Sequence, residues 1–241
     1  MSEPIQMRPI AHIRSAFPTK FGIPRQSGLA RALTAQVVFE PPYREAAALR
    51  GLEEFSHIWL IWQFSAAARE GWSPTVRPPR LGGNQRMGVF ATRSPFRPNA
   101  IGLSAVKLER VELSTPAGPL LHVAGADLMD GTPILDIKPY LPYADSIPDA
   151  AGGFASGGAP ARLEVACPPE LLARVPEGLR AGLLEVLACD PRPPYQHDPD
   201  RRYGMAFGGV EVSFTVAGDA LTVRDIAAGG KTEDRTGGED T

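Results

Sequence analysis

The sequence predicts a mainly β fold, a small antiparallel β-barrel followed by a smaller α+β domain. Three observations predict it. Short apolar runs rich in β-branched residues recur through the first 145 residues with brief connections between them. Glycine and proline, 25 of each in 241 residues, punctuate those runs as turn residues do. No long amphipathic helix separates consecutive runs, so the strands should pair antiparallel, and closing the sheet into a barrel removes its exposed edges.

In chain order, strands are expected over Ile10 to Arg14, Leu33 to Phe39, His57 to Phe64, Met87 to Arg93, Ile101 to Val111, Leu120 to Ala126 and Ile134 to Lys138. Alanine-rich Tyr43 to Leu49 follows Pro41-Pro42 and reads as a short helix beginning just after proline. The run GGFASGGAP, Gly152 to Pro160, has little apolar surface to pack and the composition of a joint. It divides a barrel domain at 1–150 from a small α+β domain at 161–228, with a linker at 151–160. Within the second part, leucines between Pro168 and Leu187 recur at helical spacing but are interrupted at Pro176, which predicts two short helices. Strands follow at Arg202 to Phe207, Val210 to Val216 and Leu221 to Ile226, turned by Gly208-Gly209 and Gly218-Asp219. The acidic residues 229–241 are expected to be a disordered tail.

Composition narrows the function classes. Hydrophobic residues at 43% and charged residues at 22% fit a packed soluble protein, and the absence of an apolar run near ~20 residues or of a signal pattern predicts a cytoplasmic protein without a membrane span. Cys167 and Cys189 belong to no thiol motif, and His12, His57, His122 and His197 have no ligand spacing, so neither a disulfide nor a metal is expected. The net charge of −2 conceals a local bias, for Arg77, Arg80, Arg86, Arg93 and Arg97 occur with no acid among them.

Three stretches could carry chemistry. In MGVFATRSPFRPNAIGLS, Met87 to Ser104, a strand ends in a loop where Pro95 and Pro98 restrict the backbone and present Arg93, Ser94, Arg97 and Asn99. The alternative is a solvated turn. In DLMDGTPILDIKPYLPY, Asp127 to Tyr143, Asp130 before Gly131 suits turn chemistry as well as function, and Asp136 within a strand suits a structural ion pair with a partner such as Lys138 or an arginine. In FGIPRQSGL, Phe21 to Leu29, Gly28 would let the backbone approach a ligand. Trp59 and Trp62, in FSHIWLIWQF, are expected to be packing residues unless one lines the pocket.

Taken together, PRQSGL, GLEEFSHIWLIW, RPPRLGGNQRMGVFATRSPFRPNAIGLS and DLMDGTPILDIKPYLPYADSIPDA resemble the TrmO (YaeB, TsaA-like) family over about residues 8 to 150. A weaker likeness continues at DPRPPY, Asp190 to Tyr195. The resemblance implies a homodimeric β-barrel enzyme that uses S-adenosylmethionine to methylate N6 of threonylcarbamoyladenosine at tRNA position 37, beside the anticodon. It further implies cofactor contacts from Ser27, Gly28 and Leu29, from Phe64 and Ser65, from Arg93 and Leu103, and from Asp127, Leu128, Met129 and Asp130. Ser65 and Ser27 depart from the family, which carries histidine at the first position in some members and proline at the second. Asp130 or Asp136 is the expected catalytic carboxylate, orienting or deprotonating N6. Arg77, Arg80, Arg86 and Arg97 are expected on anticodon-loop phosphates or the threonyl carboxylate, and Arg192, Arg201 and Arg202 with the rings of Tyr195 and Tyr203 on further RNA. Two alternatives stand beside this reading: a diverged S-adenosylmethionine-dependent methyltransferase with another acceptor, and a noncatalytic nucleic-acid-binding barrel.

Overall fold

A computed structural model describes residues 3–67, 71–158, 160–193, 196 and 198–229. Six strands close the expected barrel: β1 (Ala11–Arg14), β2 (Thr34–Phe39), β3 (His57–Gln63), β6 (Ile101–Glu112), β7 (Leu120–Ala124) and β8 (Pro133–Pro139). Their order is β1-β2-β7-β6-β3-β8, and β8 returns to β1 through Ala11 opposite Ile134. Every pairing in it is antiparallel. Alternation sorts each strand into an inner and an outer face. Ile58, Leu60 and Trp62 of β3 point inward with Val106 and Leu108 of β6, Leu121 and Val123 of β7, and Ile134 of β8.

Between β3 and β6 the chain leaves the barrel as a two-stranded ribbon, β4 (Thr75–Val76) against β5 (Met87–Gly88). The strand expected through Arg93 therefore ends early. Val89–Ala91 is a 3-10 turn closed by Thr92 N donating to the Val89 carbonyl at 3.1 Å. Tyr43 to Leu49 likewise forms no α-helix: it joins two 3-10 turns, Pro41–Tyr43 and Ala46–Leu49, across irregular Arg44 and Glu45, because so short a segment cannot offset helix nucleation.

After a single helical turn, α1 (Pro142–Asp145), and a 3-10 turn at Gly153–Ala155 in the expected linker, the second part forms the predicted helix pair, α2 (Pro169–Leu172) and α3 (Glu177–Ala188). Pro176 caps α3 from outside, as the interrupted leucine pattern required. The meander β10 (Tyr203–Phe207), β11 (Val210–Ala217) and β12 (Ala220–Ala228) is joined by β9 (Glu164–Ala166), which runs parallel to β12 and is too short to announce itself by alternation. Of the expected tail, Gly229 donates to the Gly209 carbonyl and 230–241 lie outside the described residues. Among the described residues no helix is long and apolar enough to cross a membrane.

The two parts share more than a linker. Ala16, Phe17, Ala30 and Leu33, which lie between β1 and β2, are buried in the second core with Leu183, Leu187, Phe207 and Phe214. Phe17 meets Phe207 edge to face with ring centroids 5.4 Å apart. The loop that carries PRQSGL is thus clamped between the barrel and the second unit.

Candidate functional site

A cavity of about 430 Å³ opens at the barrel, a size suited to a nucleoside-sized ligand. Four pieces of chain line it: the clamped loop (Lys20, Ile23 to Gln26), β3 and its exit (Trp59, Trp62 to Ala66), the arginine loop and start of β6 (Arg93, Pro95, Arg97, Ile101 to Leu103), and the segment before β8 (Asp127, Met129, Thr132). The floor is made where the inner face of β6 stops being aliphatic. Going up that face, Leu108 and Val106 give way to Ser104 and Gly102. Gly102 sits opposite Trp62 in the β3–β6 register, and a Cβ there would lie 2.2 Å from the Trp62 ring, so only glycine allows the indole to lie across the strand.

The indole is then placed to donate. Trp62 Nε1 donates to Ser104 Oγ at 3.0 Å, and Ser104 Oγ donates to Asp127 Oδ1 at 2.6 Å. Ser104 is 1% exposed, so this chain of donors is the means by which a buried hydroxyl is satisfied. Burial raises the Asp127 carboxyl above its ordinary value, while the Ser104 hydrogen bond, nearby Arg93 and the Ser27 amide oppose that rise. Arg93 reaches across the mouth to hydrogen-bond the Gln26 amide oxygen.

The clamped loop is fixed by its backbone. Gly28 N donates to the Gly125 carbonyl and Gly125 N to the Leu33 carbonyl, each at 2.8 Å. Both glycines are left-handed, at φ 76° and 78°, and a Cβ at Gly125 would come 3.2 Å from Gly28 Cα. From the other side, Glu185 of α3 accepts from Ala32 N at 2.9 Å, Arg162 donates to the Leu29 carbonyl at 3.4 Å, and Arg25 donates to the Arg192 carbonyl at 3.3 Å.

Of the residues singled out in the sequence, Phe64, Ser65, Arg93, Leu103, Asp127, Met129 and Arg97 line the cavity. Ser27, Gly28 and Leu29 stand behind it as the loop's anchored backbone. Leu128 is 1% exposed and belongs to the barrel core. Neither expected catalytic carboxylate is among the lining residues. Asp130 Oδ1 accepts from Ser15 N at 2.9 Å, a long-range bond to the segment that follows β1 rather than the local turn bond expected, and Asp136 pairs with Lys138 at 2.9 Å on the outside of β8. An irregularity opposite Ile61 and Trp62 shifts the β8 register, so that Ile134 and Ile137 both pack on the core and Asp136 faces out.

Arg77, Arg80 and Arg86 are exposed on the ribbon segment; Arg80 donates to the Gly158 carbonyl and Arg86 to Thr75 Oγ1. Arg192, expected on RNA, is ion-paired: its side chain is 11% exposed and its guanidinium grips both carboxylate oxygens of Asp190 at 2.9 Å. Burial works against that carboxylate, yet Arg192 holds it below its ordinary range. Arg201 is exposed over the ring of Tyr203 at 5.5 Å, but Tyr203 itself is 5% exposed, since alternation along β10 turns it inward with Met205 and Phe207. Tyr195 and His197 lie outside the described residues. Trp59, Trp62, Gly102 and Ser104 were missed as site residues. A serine and a glycine at the 102, 104, 106, 108 alternation of an otherwise apolar strand face were the available signal. Among the described residues no group of three or more His, Cys, Asp or Glu side chains converges as metal ligands.

Comparison with known proteins bears on this geometry. Residues 12–146 match the family described as the tRNA-methyltransferase O N-terminal domain, and 160–229 match the TrmO C-terminal domain. A tRNA (adenine(37)-N6)-methyltransferase of Escherichia coli K12 is 44% identical over 227 residues, covering 86% of this chain and 96% of the relative. One of the same description from Eikenella corrodens is 55% identical over 175 residues, covering 72% of this chain and 98% of the relative. A crystal structure of TrmO from P. aeruginosa matches at 38% identity with a TM-score of 0.75, over 95% of this chain and 99% of that one.

Proposed function

The chain belongs to the tRNA-methyltransferase O family, and on that premise we propose that it transfers a methyl group from S-adenosylmethionine to N6 of adenosine 37 in tRNA. The single observation that carries the reading is the floor of the cavity, where Asp127 is held by Ser104 among apolar walls and faced by Arg93. That donor set fits the cofactor: a carboxylate for its cationic groups, a guanidinium for its carboxylate, and the faces of Trp59, Phe64 and Leu103 for its base. When bound, S-adenosylmethionine supplies an electrophilic methyl on a sulfonium.

What the chain's own residues contribute is positioning and a dry, oriented field. Asp127, raised by burial with Ser104 and Arg93 opposing the rise, is the carboxylate placed to hold a cation or to take a proton from a nitrogen. We assign that role to Asp127 rather than to Asp130 or Asp136, whose carboxylates are occupied by Ser15 and Lys138. Arg97, at the mouth, is placed for a phosphate or for the carboxylate of a threonylcarbamoyl group. That group makes N6 part of a urea conjugated to the purine, so its proton leaves more readily than in plain adenosine. The proposed substrate is therefore threonylcarbamoyladenosine in the anticodon loop, and the proposed setting a cytoplasmic homodimer.

The experiment is mass spectrometry of nucleosides from tRNA, with and without the threonylcarbamoyl modification, after incubation with the protein and S-adenosylmethionine. A cofactor-dependent gain of one methyl on the modified nucleoside is expected. Cofactor binding without that gain would mean another acceptor, and neither binding nor gain would leave a noncatalytic barrel.

A further inference from the structure

A second groove, of about 510 Å³, runs beside the cofactor cavity and shares Gln63, Pro95, Arg97 and Ile101 with it as a common wall. Trp72 stands on its far side. The β4–β5 ribbon brings Trp72, just before β4, against Phe90, just after β5, with ring centroids 6.1 Å apart and planes within 24°. Buried Val89, whose amide donates to the Pro74 carbonyl at 3.0 Å, anchors the turn beneath them. The two rings nevertheless remain 51% and 73% exposed, which a packing role does not explain.

The charge around them is of one sign. From Gly71 to Leu108 the sequence contains no Asp or Glu, while Arg77, Arg80, Arg86, Arg93, Arg97 and Lys107 all fall within it. Among the described residues, none of the five arginines has a carboxylate ion-pair partner. A stacked aromatic surface set in a cationic, acid-free segment is the combination that recognises single-stranded nucleic acid, since rings take the bases and guanidinium groups the phosphates.

We propose that this groove receives the single-stranded tRNA segment flanking the target adenosine, with Trp72, backed by Phe90, as the stacking platform for a neighbouring base. The inference rests on the tRNA methylation reading and deepens it by placing the RNA. The shared wall explains the geometry: a strand lying in the groove delivers a nucleotide past Arg97 into the cavity. A second copy of this chain is the competing occupant, but a two-fold contact here would set the arginine segment against its own image.

The test compares wild type with Trp72→Ala and Trp72→Phe in three measurements: cofactor affinity by calorimetry, affinity for an anticodon stem-loop RNA, and mass by sedimentation. Trp72→Ala should weaken RNA binding about tenfold, Trp72→Phe should restore most of it, and cofactor affinity and mass should not change. Unchanged RNA affinity in Trp72→Ala overturns the platform, and a fall in mass would make the groove an interface between copies instead. Methyl transfer is read separately, by nucleoside mass spectrometry of wild type: RNA binding that depends on Trp72 without methyl gain would fail the methylation reading and leave the platform standing, whereas methyl gain with RNA binding indifferent to Trp72 would fail the platform alone.

Discussion

Ser104→Ala removes one oxygen and should disturb both the fold and the site. Ser104 Oγ is acceptor for Trp62 Nε1 at 3.0 Å and donor to Asp127 at 2.6 Å, and the residue is 1% exposed, so water has little access to replace it. A hydrogen bond to a charged acceptor contributes about 1.5–3 kcal/mol, and an indole N–H left unpaired costs about 1–3 kcal/mol. Discounting for the partial exposure of Asp127, the loss is roughly 2–4 kcal/mol. For a chain of this size that lowers Tm by about 5–15 °C. The loss should also depend on pH. Burial places the folded-state pKa of Asp127 above the unfolded value, so its stabilising contribution is complete below the unfolded pKa and lost as pH rises through the folded one. Ser104 opposes the shift, and removing it drives the carboxyl further up. The Tm deficit of the variant should thus be smallest in acid and widen toward neutral pH. Cofactor affinity, which calls on the charged carboxylate, should rise with pH along a curve displaced to the alkaline side of wild type. Differential scanning fluorimetry and calorimetry over an acidic-to-neutral series measure both, with Ser104→Cys, a weaker donor, expected between the two. Coincident melting curves and coincident affinity profiles would refute the relay.

Gly102→Ala places a Cβ 2.2 Å from the Trp62 ring, so the ring must move; overpacking of about 1–3 kcal/mol is expected, with weaker cofactor binding and an altered near-ultraviolet tryptophan spectrum. Glu185→Gln exchanges a charge-assisted bond to Ala32 N for a neutral one, and cofactor affinity should fall several-fold with the melting temperature lowered by no more than a few degrees; equal affinity would show that α3 does not brace the loop. Asp130→Asn and Asp136→Asn should each leave single-turnover methyl transfer within a few-fold of wild type, because their carboxylates serve Ser15 and Lys138. A loss near 100-fold in either would move the catalytic carboxylate away from Asp127.

The barrel was legible because alternation along β3 and the first two thirds of β6 is regular, while β2 and β7 are short apolar runs. Its strand order was not, since register between distant strands follows from packing rather than from any local pattern. The motif DLMDGTPILD located the segment that lines the cavity but did not distinguish Asp127, which lines it, from Asp130 and Asp136, which do not. All three carboxylates look alike in sequence, and only the β8 register shift and the Ser15 amide divert Asp136 and Asp130 from the cavity. The pairing of Arg192 was hidden for a similar reason: it involves Asp190 two residues before it, which adopts φ 53°, a conformation a non-glycine residue seldom takes.

A six-stranded barrel of this kind must fill its interior, and most inward positions here are filled by aliphatic side chains that leave no room for chemistry. The exceptions occur together. Gly102 gives up its side chain to an indole, the indole needs an acceptor, Ser104 supplies it at the next inward position, and the serine's proton needs Asp127. Each polar group is there because the one before it would otherwise be unsatisfied, and the last in the chain is the carboxylate that faces the cavity. The walls around it are then set from outside the barrel, by a loop held between Gly125 and Glu185 and by an arginine segment held between β3 and β6. The chemistry therefore depends on contacts with α3 some 150 residues along the chain from the loop it braces, which is why substitutions at Glu185 are a sharper probe of the site than substitutions in the conspicuous aspartate motif.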